Sequence, residues 1–292
     1  MSKNCPIMQR MKANYEVRSR TYLTRKVPVI MRLDGKAFHT YTRGLEKPFD
    51  EGLIEDMVET AKFLCSEIQG AKCAYVQSDE ISILITDFDK LETSAWFDYQ
   101  VQKMCSVAAA MAAAKFNQLR FIRLCNTVEI PEDQPITHLD LYEKLAFFDA
   151  RVFNIPKEEV PNYFHARQRD AVKNSISMLA QSLYSHKELE GKNGSEMQEM
   201  CFQKGHNWND LHYSKKRGSF IVKNTYVNNI GTHDLDKKGN KILQYFNDTK
   251  AWAVFDEAEQ DWLDLVSPII RTKWECIETP MKLNDENIFV NF

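Results

Sequence analysis

Two groups of acidic residues each follow a strongly apolar run. Asp34 ends the apolar part of "VPVIMRLDGKAFHTYTRG" (27–44), and Asp79 and Glu80 lie at the polar centre of "CAYVQSDEISILIT". Carboxylate oxygens are the ligands that Mg²⁺ prefers, and Mg²⁺ shares its coordination with substrate phosphates. Gly35 adds a carbonyl that can approach a metal closely, because glycine has no Cβ. The pattern predicts a metal site suited to phosphoryl transfer.

Each acidic motif taken alone also has an ordinary structural interpretation. Asp-Gly is a common turn, and Ser-Asp-Glu is typical of an exposed hairpin tip. The pattern therefore leaves open whether the two motifs serve a site or only turn the chain.

Cationic side chains would have to hold any triphosphate. The sequence contains neither G-x-x-x-x-G-K-[ST] nor G-x-G-x-x-G, so it lacks both standard glycine-rich phosphate loops. Metals and cationic groups would take their place. The candidates that could contact phosphates, base or ribose are Lys36, Phe38, His39, Arg43, Lys47 and Lys103.

The hydrophobic pattern predicts an α+β fold. Its order is β-α-β-β-α-β, with short joints, which is typical of a ferredoxin-like antiparallel sheet with helices on one face. A C-terminal α/β extension follows, in which turn residues separate short strands. The predicted domains are 1–155 and 156–292. The predicted elements are strands at 27–34, 74–77 and 81–86, a helix ending at Gly70, helices at 93–117, 158–187 and 196–204, and a strand within "LAFFDARVFNIP".

Composition places the chain among ordinary globular proteins. It has 292 residues, 43% of them hydrophobic, and a formal net charge of −3. A polyanion would therefore need local basic patches, such as 10–26 or 215–217. No stretch has the length of a membrane span or the apolar core of a signal peptide, which predicts a cytoplasmic protein without membrane contact. The seven cysteines form no C-x-x-C pair, which favours reduced thiols.

Four motifs together resemble the tRNA-His guanylyltransferase family, whose members add nucleotides to the 5′ end of RNA. They are "RLDGKAFHTYTRG" with "KPFD", "YVQSDEISIL", "FDARV" and "ARQRDAVKNS", and the resemblance runs from about residue 9 to about residue 225. It implies a polymerase-palm catalytic domain in which Asp34, Asp79 and the Gly35 carbonyl hold two Mg²⁺ ions. Glu80 is implied as a supporting catalytic carboxylate.

The same resemblance implies binding residues for ATP, other nucleoside triphosphates and RNA. The implied nucleotide site comprises Asp34, Gly35, Lys36, Ala37, Phe38, His39, Lys47, Ser78, Asp79 and Lys103. The implied contacts to RNA or to a second nucleotide are Arg32, Arg151, Arg167, Gln168, Asp170 and Asn174.

Departures from the eukaryotic pattern favour the bacterial and archaeal guanylyltransferase-like branch. "VKNSISM" stands where eukaryotic enzymes carry H-I-N-N-L-Y-N, and "GHNWNDLHYSKKRGS" (205–219) is similar to that branch. The branch implies template-dependent repair of 5′-truncated tRNA after ATP-dependent activation, by a homotetramer. Alternatives are addition of a 5′ G to tRNA-His, another two-metal palm enzyme (a nucleotidyl cyclase or phosphohydrolase), and a non-enzymatic RNA-binding module.

Overall fold

The computed structural model describes residues 5–127 and 144–228, together with four short backbone segments at 233–235, 241–244, 252–254 and 269–278. The chain divides into two compact units. One comprises Met1–Val222 with Cys276–Phe292, and the other is Lys223–Glu275.

An antiparallel sheet forms the centre of the first unit. Its strands are β1 (Val29–Gly35), β2 (Ala71–Gln77), β3 (Glu80–Ile85), β4 (Phe148–Asn154) and β5 (Ser219–Asn228), in the order β4-β1-β3-β2-β5. Strand β1 pairs with β3 and with β4, and Leu33 lies opposite both Ile81 and Ala150. The carboxyl end of β1 therefore lies beside the start of β3.

Two helices cover one face of this sheet. Helix α3 (Glu51–Glu67) packs on β2, and α4 (Val101–Thr127) packs on β4. Asp50 caps α3 by accepting a hydrogen bond from the Leu53 amide, which satisfies one of the free N–H groups at the helix start. Apolar residues at helical spacing, such as Met57, Ala61 and Leu64, are fully buried against the sheet.

The long helix begins later than the sequence pattern predicts. A 3₁₀ turn, Trp96–Tyr99, precedes α4, and Phe97, Asp98 and Tyr99 all have positive φ angles of 49°, 53° and 58°. Left-handed backbone cannot continue a right-handed helix. The helix therefore begins at Val101 rather than at 93, and it extends to Thr127 rather than 117.

Helix α5 (Val160–Leu183) covers the opposite face of the sheet. Its residues Val160, Phe164 and Ala171 are buried in one cluster with Ile30, Tyr75, Leu84 and Phe220. Since side chains alternate along a strand, the neighbours of Ile30 point to the α3–α4 face. The sheet is thus covered on both sides, and the second cover comes from the predicted extension.

The motif at 205–219 packs against the second half of α5. Trp208 is buried, and its indole N–H donates to Ser175 Oγ at 3.0 Å, while that hydroxyl also bonds the Lys216 carbonyl. Tyr75 Oη donates to the Arg217 carbonyl at 2.6 Å. The remaining helices near this motif are α6 (His186–Leu189), α7 (Gly194–Gln203) and α8 (Tyr213–Lys216).

The antiparallel α+β prediction is confirmed. In the second unit, an antiparallel three-stranded sheet consists of β6 (His233–Leu235), β7 (Lys241–Gln244) and β8 (Trp252–Val254). In the larger sheet, the strand order continues from β5 to a last strand, β9 (Ile269–Glu278). The predicted turn residues between these strands lie outside the described residues. Within the described part of the chain, no helix is long and apolar enough to cross a membrane.

Candidate active site

The two acidic motifs meet at one end of the sheet. Asp34 is the penultimate residue of β1 and lies opposite Glu80 on β3. Asp79 lies in the turn that joins β2 to β3, and its carbonyl accepts a hydrogen bond from the Gly35 amide at 3.1 Å. Two segments more than forty residues apart in the sequence are thereby held side by side.

The turn that carries Asp79 is tight. Gln77 pairs with Glu80, so only Ser78 and Asp79 join the two strands, and Ser78 has φ +53°. Two-residue hairpin turns require a positive φ angle because that backbone matches the twist of the strands. The turn places the Asp79 carboxyl beside the end of β1.

The site concentrates negative charge. Asp34 and Asp79 are partly buried, and neither takes part in any ion pair among the residues that the structure describes. Burial chiefly, with the nearby charges of Asp34 and Glu80, raises the pKa of Asp79 above its usual value. A cation would relieve this unfavourable charge, so the two carboxylates and the Gly35 carbonyl fit a divalent metal.

The side chains at this site are too few to hold a metal ion on their own. The described residues contain no group of three or more His, Cys, Asp and Glu side chains that could hold a metal ion. The set at the sheet end has two carboxylate side chains and one backbone carbonyl. Water and substrate phosphates would have to complete the coordination of a magnesium ion held there.

Gly35 has a packing role that the sequence does not reveal. A Cβ at this position would lie 2.2 Å from Cδ2 of Phe38. The Phe38 ring is 5% exposed and contacts the rings of Tyr41, Phe116 and Phe148 at centroid distances of 5.0–5.7 Å. The ring belongs to the core, so Phe38 can offer a nucleotide only its backbone.

The residues after Gly35 leave the sheet in a sharp turn. The Lys36 amide donates to the Phe147 carbonyl at 2.8 Å, and Ala37 has φ +54° at the start of the short helix α2 (Phe38–Tyr41). The side chains of Lys36 and His39 are exposed. Both are therefore accessible to a ligand near the carboxylates.

Glu80 differs from the other two carboxylates because it is already paired. Its carboxylate accepts hydrogen bonds from Arg167 on α5 at 3.0 Å and from Ser82 at 3.2 Å, and Arg32 lies 3.7 Å away. Arg167 also bonds Asp170. Glu80 is thus a link between the sheet and α5.

The other predicted RNA contacts lie on α5 or on the face of the sheet that α5 covers, but not all of them are exposed to solvent. Arg151 faces solvent and pairs with Asp149, which lies opposite Asp34 across the β1–β4 pair. Asn174 on α5 is exposed, whereas Gln168 is 5% exposed. A buried Gln168 has more to do with the packing of α5 than with an RNA contact.

A cavity of about 350 Å³ adjoins the hairpin turn. Lys47 and Ser78, both predicted nucleotide contacts, lie in its wall. Its other walls come from the start of α3, from α5, and from Ser214, Lys215 and Lys216 of the 205–219 motif. The Lys215 ammonium donates to the Glu51 carboxylate at 2.6 Å, which joins α8 to α3.

Lys103 is the predicted site residue that the fold does not bring to the carboxylates. It lies in the first turn of α4, with its ammonium 5.2 Å from the centroid of the exposed Phe97 ring. The part of α4 that contacts Phe38 is Phe116, thirteen residues further on, or about 20 Å along the helix. Lys103 is therefore at the opposite end of the sheet from Asp34.

Two further residues lie beside Asp34 and Glu80, and the sequence pattern predicts a role for neither of them. Asp149 was visible in "FDARV" but carried no prediction, although it adds a third carboxylate to the row Asp149, Asp34 and Glu80 across neighbouring strands. Tyr163 bonds Ser82 at 3.0 Å beneath Glu80, and burial raises its pKa. No local pattern marks a single tyrosine on a helix for this position.

An antiparallel palm-like sheet with carboxylates at one end is the arrangement expected of an enzyme that catalyses phosphoryl transfer. The family model described as tRNAHis guanylyltransferase matches residues 8–156, and the chain belongs to that family of nucleotidyltransferases.

Relatives and solved structures agree with this assignment. The chain is similar to a bacterial tRNA(His) guanylyltransferase-like protein solved in complex with ATP, at 48% identity over 74% of this chain and 88% of that one, with a TM-score of 0.66. A bacterial protein of the same description in complex with GTP is 38% identical over 98% of both chains, with a TM-score of 0.69. The tRNA(His) guanylyltransferase of Debaryomyces hansenii is 28% identical over 74% of this chain and 80% of its own length.

Proposed function

We propose that this chain is a template-dependent 3′–5′ nucleotidyltransferase that adds nucleotides to the 5′ end of truncated tRNA. The observation that carries the proposal is the meeting of Asp34 and Asp79, fixed by the hydrogen bond from the Gly35 amide to the Asp79 carbonyl. Family membership supports the transfer chemistry, and the ATP and GTP complexes of similar bacterial proteins support nucleoside triphosphates as substrates.

Two Mg²⁺ ions are the proposed cofactors. Asp34, Asp79 and the Gly35 carbonyl would hold them, because these oxygens are partly buried, close together and free of described ion pairs. When bound, such ions neutralise charge on the attacking and leaving oxygens of a phosphoryl displacement. Glu80, already bonded to Arg167, keeps the start of β3 fixed while the two aspartates act as ligands.

Nucleotide binding would use the exposed groups around the carboxylates. Lys36 and His39 lie directly after Gly35, and Lys47 and Ser78 line the adjacent cavity, which has both polar and apolar walls suited to a ribose and a base. Lys103 has no part in this site, given its place at the far end of the sheet.

The proposed reaction has two displacements. In the first, an oxygen of the RNA 5′-monophosphate attacks the α-phosphorus of ATP, and pyrophosphate leaves. In the second, the 3′-hydroxyl oxygen of an incoming nucleotide attacks the activated 5′ phosphorus, the hydroxyl proton is lost to solvent, and AMP leaves. The side chains bind and orient the reactants, so the chain needs no nucleophile of its own.

The test uses 5′-labelled, 5′-monophosphorylated tRNA that lacks its first nucleotide, with ATP, Mg²⁺ and each nucleoside triphosphate in turn. We expect extension only by the nucleotide complementary to the opposing base, with a matching change when that base is changed. Asp79→Asn is expected to reduce extension at least about a hundred-fold, whereas Glu55→Gln, on the exposed side of α3, leaves it intact. Failure of every nucleotide to extend the RNA would contradict the proposal and redirect the search to cyclic nucleotides or released phosphate.

A second candidate is the addition of a 5′ G to tRNA-His, which the name of the Debaryomyces relative favours. It predicts G addition whatever base stands opposite. The same assay separates the two functions. A homotetramer is the proposed assembly, and sedimentation velocity measures it directly.

A further inference from the structure

The N-terminal segment 6–22 stands apart from the body of the protein. It comprises helix α1 (Pro6–Met11), a π-helical turn (Lys12–Glu16) and the chain up to Tyr22. Every residue of 6–22 except Met11 is exposed, and neither helical part contains a buried residue. The residue types of this segment are therefore not set by packing against the described body of the protein.

This segment carries a local excess of positive charge. It has four cations, Arg10, Lys12, Arg18 and Arg20, against the single carboxylate of Glu16, in a chain whose net charge is −3. None of these four cations takes part in an ion pair among the residues that the structure describes. The next two cations differ, since Arg25 pairs with Asp87 and Asp98, and Lys26 bonds backbone carbonyls.

The base of the segment is fixed at the end of the sheet opposite Asp34. The Val101 amide donates to the Thr21 carbonyl at 2.9 Å, and the Leu23 amide donates to the Tyr99 carbonyl at 3.0 Å. Both bonds reach the start of α4, where Lys103 lies. The last residues of the segment therefore lie close to Lys103, a further cation that has no described ion pair.

The same end of the sheet presents an aromatic ring to solvent. Three successive left-handed residues, Phe97 to Tyr99, cost roughly 1–2 kcal/mol each in backbone energy. The buried Tyr99 and the ion pair from Arg25 to Asp98 hold this conformation. Its consequence is that Phe97 is 37% exposed with Lys103 beside its ring, while Tyr15 and Tyr22 of the segment are also exposed.

We propose that segment 6–22, together with Phe97 and Lys103, is a docking surface for the body of the RNA whose 5′ end lies at Asp34 and Asp79. This inference rests on the proposed function, because it assumes an RNA substrate. Unpaired cations meet a phosphate backbone, and exposed aromatic rings interleaved with them offer stacking surfaces for unpaired bases. A negatively charged protein needs such a local surface to hold a polyanion.

The experiment compares RNA binding by the full-length chain and by a variant with Arg10→Gln, Lys12→Gln, Arg18→Gln and Arg20→Gln. The control removes four cations elsewhere on the described surface: Lys62→Gln, Lys157→Gln, Lys187→Gln and Lys192→Gln. The affinity for 5′-monophosphorylated, 5′-truncated tRNA is measured between 50 and 300 mM KCl, and sedimentation velocity gives the assembly of each protein.

We expect the segment variant to bind this tRNA at least about ten-fold more weakly at 100 mM KCl, with a salt slope lower by about 3, because each lost phosphate contact removes roughly 0.7–0.9 from the slope. The control changes both quantities much less. Extension of saturating RNA keeps its kcat, since the substitutions are remote from the carboxylates, while KM for RNA rises.

Two results would overturn the inference and leave the proposed function standing. One is an unchanged affinity and salt slope in the segment variant, while the wild type binds and extends the RNA. The other is a changed assembly with unchanged RNA affinity, which would make the segment a contact between copies of the chain. A wild type that neither binds nor extends RNA would instead overturn the proposed function itself, and this inference with it.

Discussion

The amide of Gly35 donates to the carbonyl of Asp79 at 3.1 Å, and this bond joins the end of β1 to the turn between β2 and β3. It holds together Asp34, near the end of β1, and Asp79, in the turn after β2. Because backbone atoms make the bond, it does not depend on the charge state of either carboxylate. The site and the fold can therefore be separated by substitution.

Asp79→Asn tests that separation. The substitution removes a partly buried charge whose pKa is raised by burial and by neighbouring carboxylates, so we expect the free energy of unfolding without metal to stay unchanged or to rise. Nucleotide transfer is expected to fall at least about a hundred-fold, because a proposed metal ligand is lost. Urea unfolding and the extension assay measure the two quantities.

Magnesium provides the control for this prediction. Mg²⁺ at millimolar concentration is expected to raise the Tm of the wild type, because an ion that binds only the folded state stabilises it. Asp79→Asn and Asp34→Asn should lose most of that rise, whereas Glu55→Gln should keep it. An equal rise in all four proteins would mean that Mg²⁺ acts elsewhere.

Gly35→Ala tests the packing of Phe38. The new Cβ would lie 2.2 Å from the Phe38 ring, so the ring must move within an aromatic cluster. We expect a loss of about 1–3 kcal/mol in the free energy of unfolding, typical of overpacking. Gly194→Ala is the matched control, since its nearest neighbour is 4.0 Å away and it lies in helix α7. A similar small effect at both positions would show that the ring moves without cost.

Glu80→Gln should behave differently from the aspartate variants. The amide keeps the shape of the side chain but loses the charge that pairs with Arg167 at 3.0 Å and faces Arg32 at 3.7 Å. Two partly buried guanidinium groups then face each other with less compensation, so we expect a loss of about 1–3 kcal/mol in stability. Arg151→Gln, which removes an exposed pair with Asp149, is the control and should change stability by less than about 1 kcal/mol. Equal losses in the two variants would show that Glu80 does not link the sheet to α5.

The sequence predicts the proximity of Asp34 and Asp79, because the signals that mark each strand end are local. Asp34 and Asp79 each adjoin an apolar run, and the antiparallel pairing of β1 with β3 brings the end of β1 beside the turn that precedes β3. The contacts of Glu80 were not predictable in the same way, since Arg167 is 87 residues distant along the chain. The distance of Lys103 from Asp34 was not predictable either, because it depends on where α4 begins. Nothing in the residue types of Phe97 to Tyr99 signals the left-handed backbone that sets this start.

Asp56→Asn tests the interface between helices α3 and α4, which pack together on one face of the sheet. Asp56 on α3 is 2% exposed and accepts hydrogen bonds from Arg120 at 3.1 Å and from Arg123 at 2.9 Å, both on α4. Removing its charge leaves two arginines at the α3–α4 interface without their buried partner, so we expect a loss of about 3–5 kcal/mol in the free energy of unfolding. Glu55→Gln is the matched control, because Glu55 pairs with the same Arg123 from a side chain that is 65% exposed, and exposed pairs contribute less than about 1 kcal/mol. Urea unfolding of the two variants measures the difference, and equal losses would show that burial of Asp56 does not determine the strength of this interface. Phe116 on α4 packs against Phe38, which follows the proposed metal ligands in the chain. The Asp56→Asn variant should therefore lose transfer activity at a lower temperature than the wild type, while Glu55→Gln keeps the wild-type dependence of activity on temperature.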